Sequence, residues 1–127
     1  SNFLNEMAGL FQDDFIHLGG DEFASFFFIE YSSVEKIDQV LGHFDCWKQV
    51  PSITQWLKEH GNLNYPDLQG FYEQQLANIV LGAKKFPVYW DEVFGDNKFP
   101  LSNQSVIQVW NHDLSQLIQV VKGGYRY

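Results

Sequence analysis

Apolar positions along the chain recur with two alternating spacings. Phe3, Met7, Leu10 and Phe11 have helical spacing. Asp14-Phe15-Ile16-His17-Leu18 reads as a short buried strand that stops at Gly19-Gly20. A helix is expected over 52–60, where Ser52 and Gln55 have the spacing of a capping box. Ile53, Trp56 and Leu57 make its apolar side, and Gly61 suits its end. A longer helix is expected from about Pro66 to Lys84, striped by Leu68, Phe71, Tyr72, Leu76, Ile79 and Val80. Lys84 and Lys85 fall at its negative dipole end. Phe86-Pro87-Val88-Tyr89-Trp90 and Val106-Ile107-Gln108-Val109-Trp110 read as strands, with Pro87 near a start, where proline is tolerated. Asp113 suits the cap of a last helix carrying Leu114, Leu117, Ile118 and Val121, closed by Gly123. Gly123-Gly124-Tyr125-Arg126-Tyr127 then stands where a new strand can begin.

The order is therefore helix, strand, helices, strand, strand, helix. Strands joined by crossovers predict a parallel α/β sheet. All three strands run into polar residues: Asp21-Glu22, Asp91-Glu92 and Asn111-His112-Asp113. The carboxyl ends of parallel strands are where barrel enzymes place their sites. One link departs from the pattern. Residues 91–105 contain Gly95-Asp96-Asn97 and Phe99-Pro100, which leaves room for at most one helical turn.

Composition narrows the classes. With 127 residues, one domain is the upper bound. Hydrophobic residues make up 45%, enough for a core. A formal net charge of −8 leaves no basic stripe to displace counterions, so a nucleic-acid partner is not expected. The apolar run Phe26-Phe27-Phe28-Ile29 is far shorter than the roughly 18 residues of a membrane span. Ser1-Asn2-Phe3-Leu4 is neither a starting Met nor a signal sequence, and both ends read as cut, as in an internal fragment. Cys46 is the sole cysteine, and Asn103-Gln104-Ser105 has the form of a glycosylation acceptor. His17 has no companions at metal-ligand spacing, so neither a metal nor a cofactor is expected.

Neighbouring residues of a strand point to opposite faces, so Asp21 and Glu22 share a cleft only if the backbone leaves strand geometry. Gly19 and Gly20 permit that turn and let a ligand come close. Two adjacent carboxylates repel, which favours keeping a proton on one of them. A protonated carboxyl beside an ionised one is what cleavage of a glycosidic bond needs. By themselves these residues favour the commoner reading, an acidic pair that caps the next helix. The glycines only slightly prefer Asp21-Glu22 to Asp91-Glu92 as a site.

His17-Leu18-Gly19-Gly20-Asp21-Glu22 resembles the His-x-Gly-Gly-Asp-Glu signature of family 20 glycoside hydrolases, the β-N-acetylhexosaminidases. Phe15-Ile16 before it, then Cys46-Trp47, Tyr89-Trp90-Asp91-Glu92-Val93-Phe94 and Gln108-Val109-Trp110, follow in the family's order across nearly the whole chain. The resemblance implies the middle portion of a (β/α)8 TIM barrel, about three parallel strands with flanking helices. It implies hydrolysis of terminal, non-reducing N-acetylglucosamine or N-acetylgalactosamine from glycoconjugates. Glu22 would be the general acid/base, and Asp21 would orient the substrate's 2-acetamido group. That group's carbonyl oxygen would be the nucleophile, giving an oxazolinium intermediate and net retention. Trp90 and Trp110 would wall the acetamido pocket, and His17 would stand behind them, holding the loop through a hydrogen bond. Asp91 and Glu92 would be loop or supporting residues. The partners implied are N-acetylhexosamine-terminated glycans and a second subunit in a homo- or heterodimer. The location implied is lysosomal or secreted, where Cys46 would have a disulfide partner upstream.

The domain reading is a family 20 catalytic barrel fragment over 1–127 with an unusual insertion at about 24–44. In the family the Cys-Trp pair follows the Asp-Glu pair after only a few residues. The insertion reads as a lid over the site or, preferably, as an artefact, a retained intron or a gene-model error. Within it, Ser32 and Glu35 form another capping box ahead of Val34, Ile37, Val40 and Leu41. Other pocket residues of the family fall outside the chain, and a whole barrel needs about 250 residues. The isolated chain is therefore expected to be inactive and poorly folded. Two competing readings stand beside the hydrolase: a sugar-binding relative without activity, and a carboxylate-metal hydrolase built on Asp21, Glu22 and His17.

Overall fold

A computed structural model describes residues 2–21, 44–94, 98–110 and 114–127, apart from the side chain of Asp45. Glu22, the bulk of the 24–44 stretch with its expected helix, and the His112-Asp113 cap lie outside the described residues.

Helix α1 spans Asn2–Leu10 and is followed by strand β1, Phe15–His17. Helices α2 (Asp45–Lys48), α3 (Pro51–Glu59) and α4 (Tyr65–Gly82) come next. Strand β2 is Phe86–Trp90, a 3-10 turn covers Asp91–Val93, strand β3 is Val106–Gln108 and helix α5 is Leu114–Lys122. The strands form one parallel sheet in the order β1-β2-β3, with Phe15 opposite Phe86 and Val88 opposite Val106. Arg126 pairs in parallel with Val106 beyond β3, and the Ile107 N–H donates to its carbonyl at 2.9 Å. Between β2 and β3 the only helical geometry among the described residues is the 3-10 turn, as the Gly and Pro content of that link predicts.

The two middle helices start differently from expectation. Ser52 and Gln55 do not cap α3. Val50 occupies the cap position without a side-chain bond, and Pro51 stands in the first turn, where its fixed φ suits the helix and its missing N–H costs nothing. In α4, Asn64 is the cap. Its Oδ1 accepts from the Asp67 N–H at 2.7 Å, and Asp67 Oδ2 accepts from the Asn64 N–H at 3.0 Å. This is a reciprocal box in Asn/Asp form. Asp67 also accepts from the Lys98 N–H at 3.0 Å, which ties the start of α4 to the β2–β3 link. At the other end α4 stops at Gly82, and Lys84 takes a left-handed φ of 60°. Lys85 does not serve the helix dipole: its ammonium donates to the carbonyls of Phe11 and Asp13, just before β1.

The core is built from Ala77 of α4, Tyr89 of β2, Val93, Ile107 of β3 and Val120 of α5, with Leu18, Phe94, Leu101, Val109 and Tyr125 packed around them. Tyr89 is fully buried, and its hydroxyl donates to the carbonyl of Glu73 at 2.8 Å, satisfying the one polar atom its ring carries into the core. Strand β1 is less buried than its apolar run predicts: Phe15 is 50% exposed. It is the outer strand among those described, and on one side it has no paired neighbour. Helix α1 lies against α4 and buries Ala8, while Phe3, Leu10 and Phe11 stay exposed.

Candidate functional site at the carboxyl ends of the strands

The site is assembled where the three strands end. After β1 the ladder runs on: the Leu18 N–H donates to the Val88 carbonyl at 2.8 Å, and the Trp90 N–H donates to the Gly19 carbonyl at 3.0 Å. The backbone then turns out of strand geometry. Gly19 and Gly20 have φ of 79° and 109°, in the region that disfavours side chains. A Cβ on Gly20 would collide with Cγ1 of Val93. The glycine pair therefore makes the predicted turn, and at Gly20 the space a Cβ would need is taken by Val93 of the 3-10 turn after β2. Asp21 follows, exposed at the sheet end, and Glu22 is next in sequence.

His17, the last residue of β1, accepts the Gly19 N–H on Nδ1 at 3.0 Å. Its ring lies 4.6 Å from that of Trp90, tilted by 52°. Trp90 in turn meets Trp110 at 5.8 Å in an edge-on contact. His17, Trp90 and Trp110 thus form a continuous row of rings across the ends of β1, β2 and β3.

Trp110 is 56% exposed and lies beyond β3, which ends at Gln108 two residues earlier than its apolar pattern suggests. Its main chain is engaged elsewhere: the Trp110 N–H points to Asp91 Oδ1 at 3.4 Å. The indole Nε1–H donates between the two carboxylate oxygens of Glu92, at 3.1 and 3.2 Å. Asp91 and Glu92 are buried, at 0% and 5% exposure. The sequence marks them as loop or supporting residues, and the structure shows what Glu92 supports, the indole of Trp110. The signal was present: an acidic pair closing one strand, and on the next a tryptophan whose N–H needs an acceptor. Among the described residues no three His, Cys, Asp or Glu side chains are grouped to hold a metal ion. None of the described helices is long and apolar enough to cross a membrane.

Flat aromatic walls with a few convergent polar groups suit a ligand that has apolar ring faces and hydrogen-bonding edges. Residues 1–127 match the sequence model of glycosyl hydrolase family 20, catalytic domain. The chain is 33% identical to rat β-hexosaminidase subunit alpha over 99% of its length and 21% of the relative's. It is 32% identical to the rat subunit beta, over 97% of the chain and 20% of the relative. It thus spans about a fifth of the length of these curated relatives. Its fold is similar to that of a β-N-acetylhexosaminidase from Bacteroides fragilis, with a TM-score of 0.72 at 23% identity, over 98% of this chain and 22% of the other. A Flavobacterium johnsoniae chitobiase gives 0.64, also at 23% identity, over 98% and 17%. The three parallel strands and their helices are accordingly part of a (β/α)8 barrel, and the chain belongs to glycosyl hydrolase family 20.

Proposed function

We propose that the full-length protein is a β-N-acetylhexosaminidase that removes terminal, non-reducing N-acetylglucosamine or N-acetylgalactosamine from glycoconjugates with retention. The observation that carries this reading is the row of rings ending in Trp90 and Trp110, set at the strand ends, where Trp90 pairs with Gly19 two residues before Asp21. The similarity to rat β-hexosaminidase subunits supports it. In this reading Trp90 and Trp110 wall the pocket of the 2-acetamido group. Asp21 accepts the acetamido N–H and holds the group so that its carbonyl oxygen faces the anomeric carbon. Glu22 gives its proton to the leaving oxygen as the acetamido oxygen bonds to that carbon. The products of this step are a free alcohol and an oxazolinium ion. Glu22, now ionised, takes a proton from water, and the water oxygen opens the oxazolinium from the face the aglycone left. Two inversions give retention, and no protein nucleophile is needed.

The same reading places the enzyme in lysosomes or outside the cell, as a homo- or heterodimer. It is tested by changing the substrate. An aryl β-N-acetylglucosaminide is expected to be cleaved, and the matching β-glucoside, which has a hydroxyl in place of the acetamido group, is expected to be cleaved at least about a thousandfold more slowly, because the internal nucleophile is gone. Equal rates would refute substrate assistance. Binding of the N-acetyl sugar without cleavage would favour a sugar-binding relative.

A further inference from the structure

We infer that Glu92 is a positioning residue: it fixes the orientation of Trp110, so the 3-10 turn after β2 sets the shape of the sugar pocket. The substrate in this inference rests on the hexosaminidase reading, whereas the geometry does not.

Trp110 needs an anchor. Its ring is more than half exposed, and its ring contact among the described residues is the edge-on one with Trp90, which by itself does not fix its rotation. The β3 ladder does not hold its backbone, because the strand ends at Gln108. Both restraints come from the neighbouring strand's exit. Asp91 takes the main-chain N–H and Glu92 takes the indole N–H with both oxygens. A buried carboxylate requires donors, and one aimed at an N–H gives a hydrogen bond stronger than a neutral pair. At 5% exposure, and with both oxygens turned to Nε1, Glu92 is placed to act through Trp110 rather than on a substrate itself.

The turn is fixed on its other side too. The Phe94 N–H closes it on the Asp91 carbonyl at 3.0 Å, and Val93 fills the space over Gly20 that a Cβ would need. The same three residues thus touch the glycine before Asp21 and hold the tryptophan two strands away. The turn thus links Gly20, the residue before Asp21, to Trp110.

The test uses the full-length protein with 15N-labelled tryptophan, and Trp110→Phe identifies the Trp110 indole resonance by its loss. Glu92→Gln, which keeps the size and one acceptor oxygen, is expected to move that resonance upfield without substrate. It should also lower kcat/KM on an aryl N-acetylglucosaminide about three- to tenfold. Glu92→Leu is expected to lower it about tenfold to a hundredfold in the native background, and less than about twofold when Trp110 is already Phe. The loosened wall should also narrow the preference for an N-acetyl over an N-butanoyl substrate. An unmoved indole resonance in Glu92→Gln, or the same loss from Glu92→Leu in both backgrounds, would overturn the inference. If Glu92→Leu does not fold, the Gln variant decides the matter. The resonance is read without turnover, so a native protein that fails to hydrolyse the substrate counts against the proposed function, and the positioning role is still decided.

Discussion

The indole N–H of Trp110 points between the carboxylate oxygens of Glu92, with Nε1 3.1 Å from one and 3.2 Å from the other. This contact joins the exits of two adjacent parallel strands, and it is made by residues that are neither in a strand nor in the core. The orientation of Trp110 is therefore set by the loop chemistry of the barrel, and loops at the strand ends are where barrels carry their function.

The turn before the acidic pair should tolerate no side chain. Gly20 has φ 109°, and a Cβ there meets Val93. Gly20→Ala is expected to cost about 2 kcal/mol or more of stability and to lower hydrolysis by displacing Asp21. Pairing it with Val93→Ala should recover part of that loss, because the clash is relieved while the unfavourable φ remains. Chemical denaturation of the three proteins checks this. No recovery in the double variant would show that the clash is absent.

Asp67 should matter most at neutral pH. Burial acts to raise its carboxyl, but the N–H groups of Asn64 and Lys98 and the Lys98 ammonium 3.4 Å away outweigh that and hold it below the ordinary 3.8. A lowered folded-state value means stabilisation that is full at neutral pH and is lost as pH falls through the acid range below 3.8. Asp67→Ala is expected to cost about 2 kcal/mol at pH 7, chiefly from the lost cap and the Lys98 N–H bond rather than from the ion pair, whose lysine is exposed. The difference between variant and native protein should shrink on acidification, as measured by denaturant midpoints.

Glu73 should act in the opposite sense. It is 4% exposed, its Oε2 has no hydrogen-bond partner among the described residues, and burial pushes its carboxyl from 4.5 up to about 7. A raised carboxyl destabilises the fold once ionised, so its contribution is best below 4.5 and is lost as pH rises through about 7. Glu73→Gln is expected to remove that slope and to stabilise the protein by about 2 kcal/mol at pH 8. The Tyr89 bond is to the main-chain carbonyl of residue 73, so the substitution leaves it in place. Thermal unfolding of the full-length protein between pH 5 and pH 8 is the check, and parallel curves for the two proteins would contradict it.

Most of the architecture was legible in the sequence because apolar periodicity survives wherever one face is buried. The extent of α4 and the whole of β2 follow it, and Tyr89 and Val80 are buried as the pattern requires, but the rest of the buried face of α4 is Asp67, Gln69, Gly70, Glu73 and Ala77, while Tyr72 of the expected stripe is 51% exposed. Boundaries decided by local chemistry were not legible. Pro51 and Val50 start α3 although Ser52 and Gln55 have capping-box spacing, because a proline in the first turn competes for the same start. The end of β3 is misplaced in the pattern because Val109 and Trp110 remain apolar after the ladder stops, and only the long-range bonds to Asp91 and Glu92 explain where Trp110 goes. The same distance in sequence hid Glu92, which pairs 18 residues away, a spacing that no helical or strand period singles out.

The central claim is the role of Glu22, and Glu22→Gln in the full-length protein tests it most directly. General acid/base catalysis predicts that kcat on an aryl N-acetylglucosaminide falls about a hundredfold to ten-thousandfold, with binding of the N-acetyl sugar retained. Hydrolysis at the native rate would contradict the account.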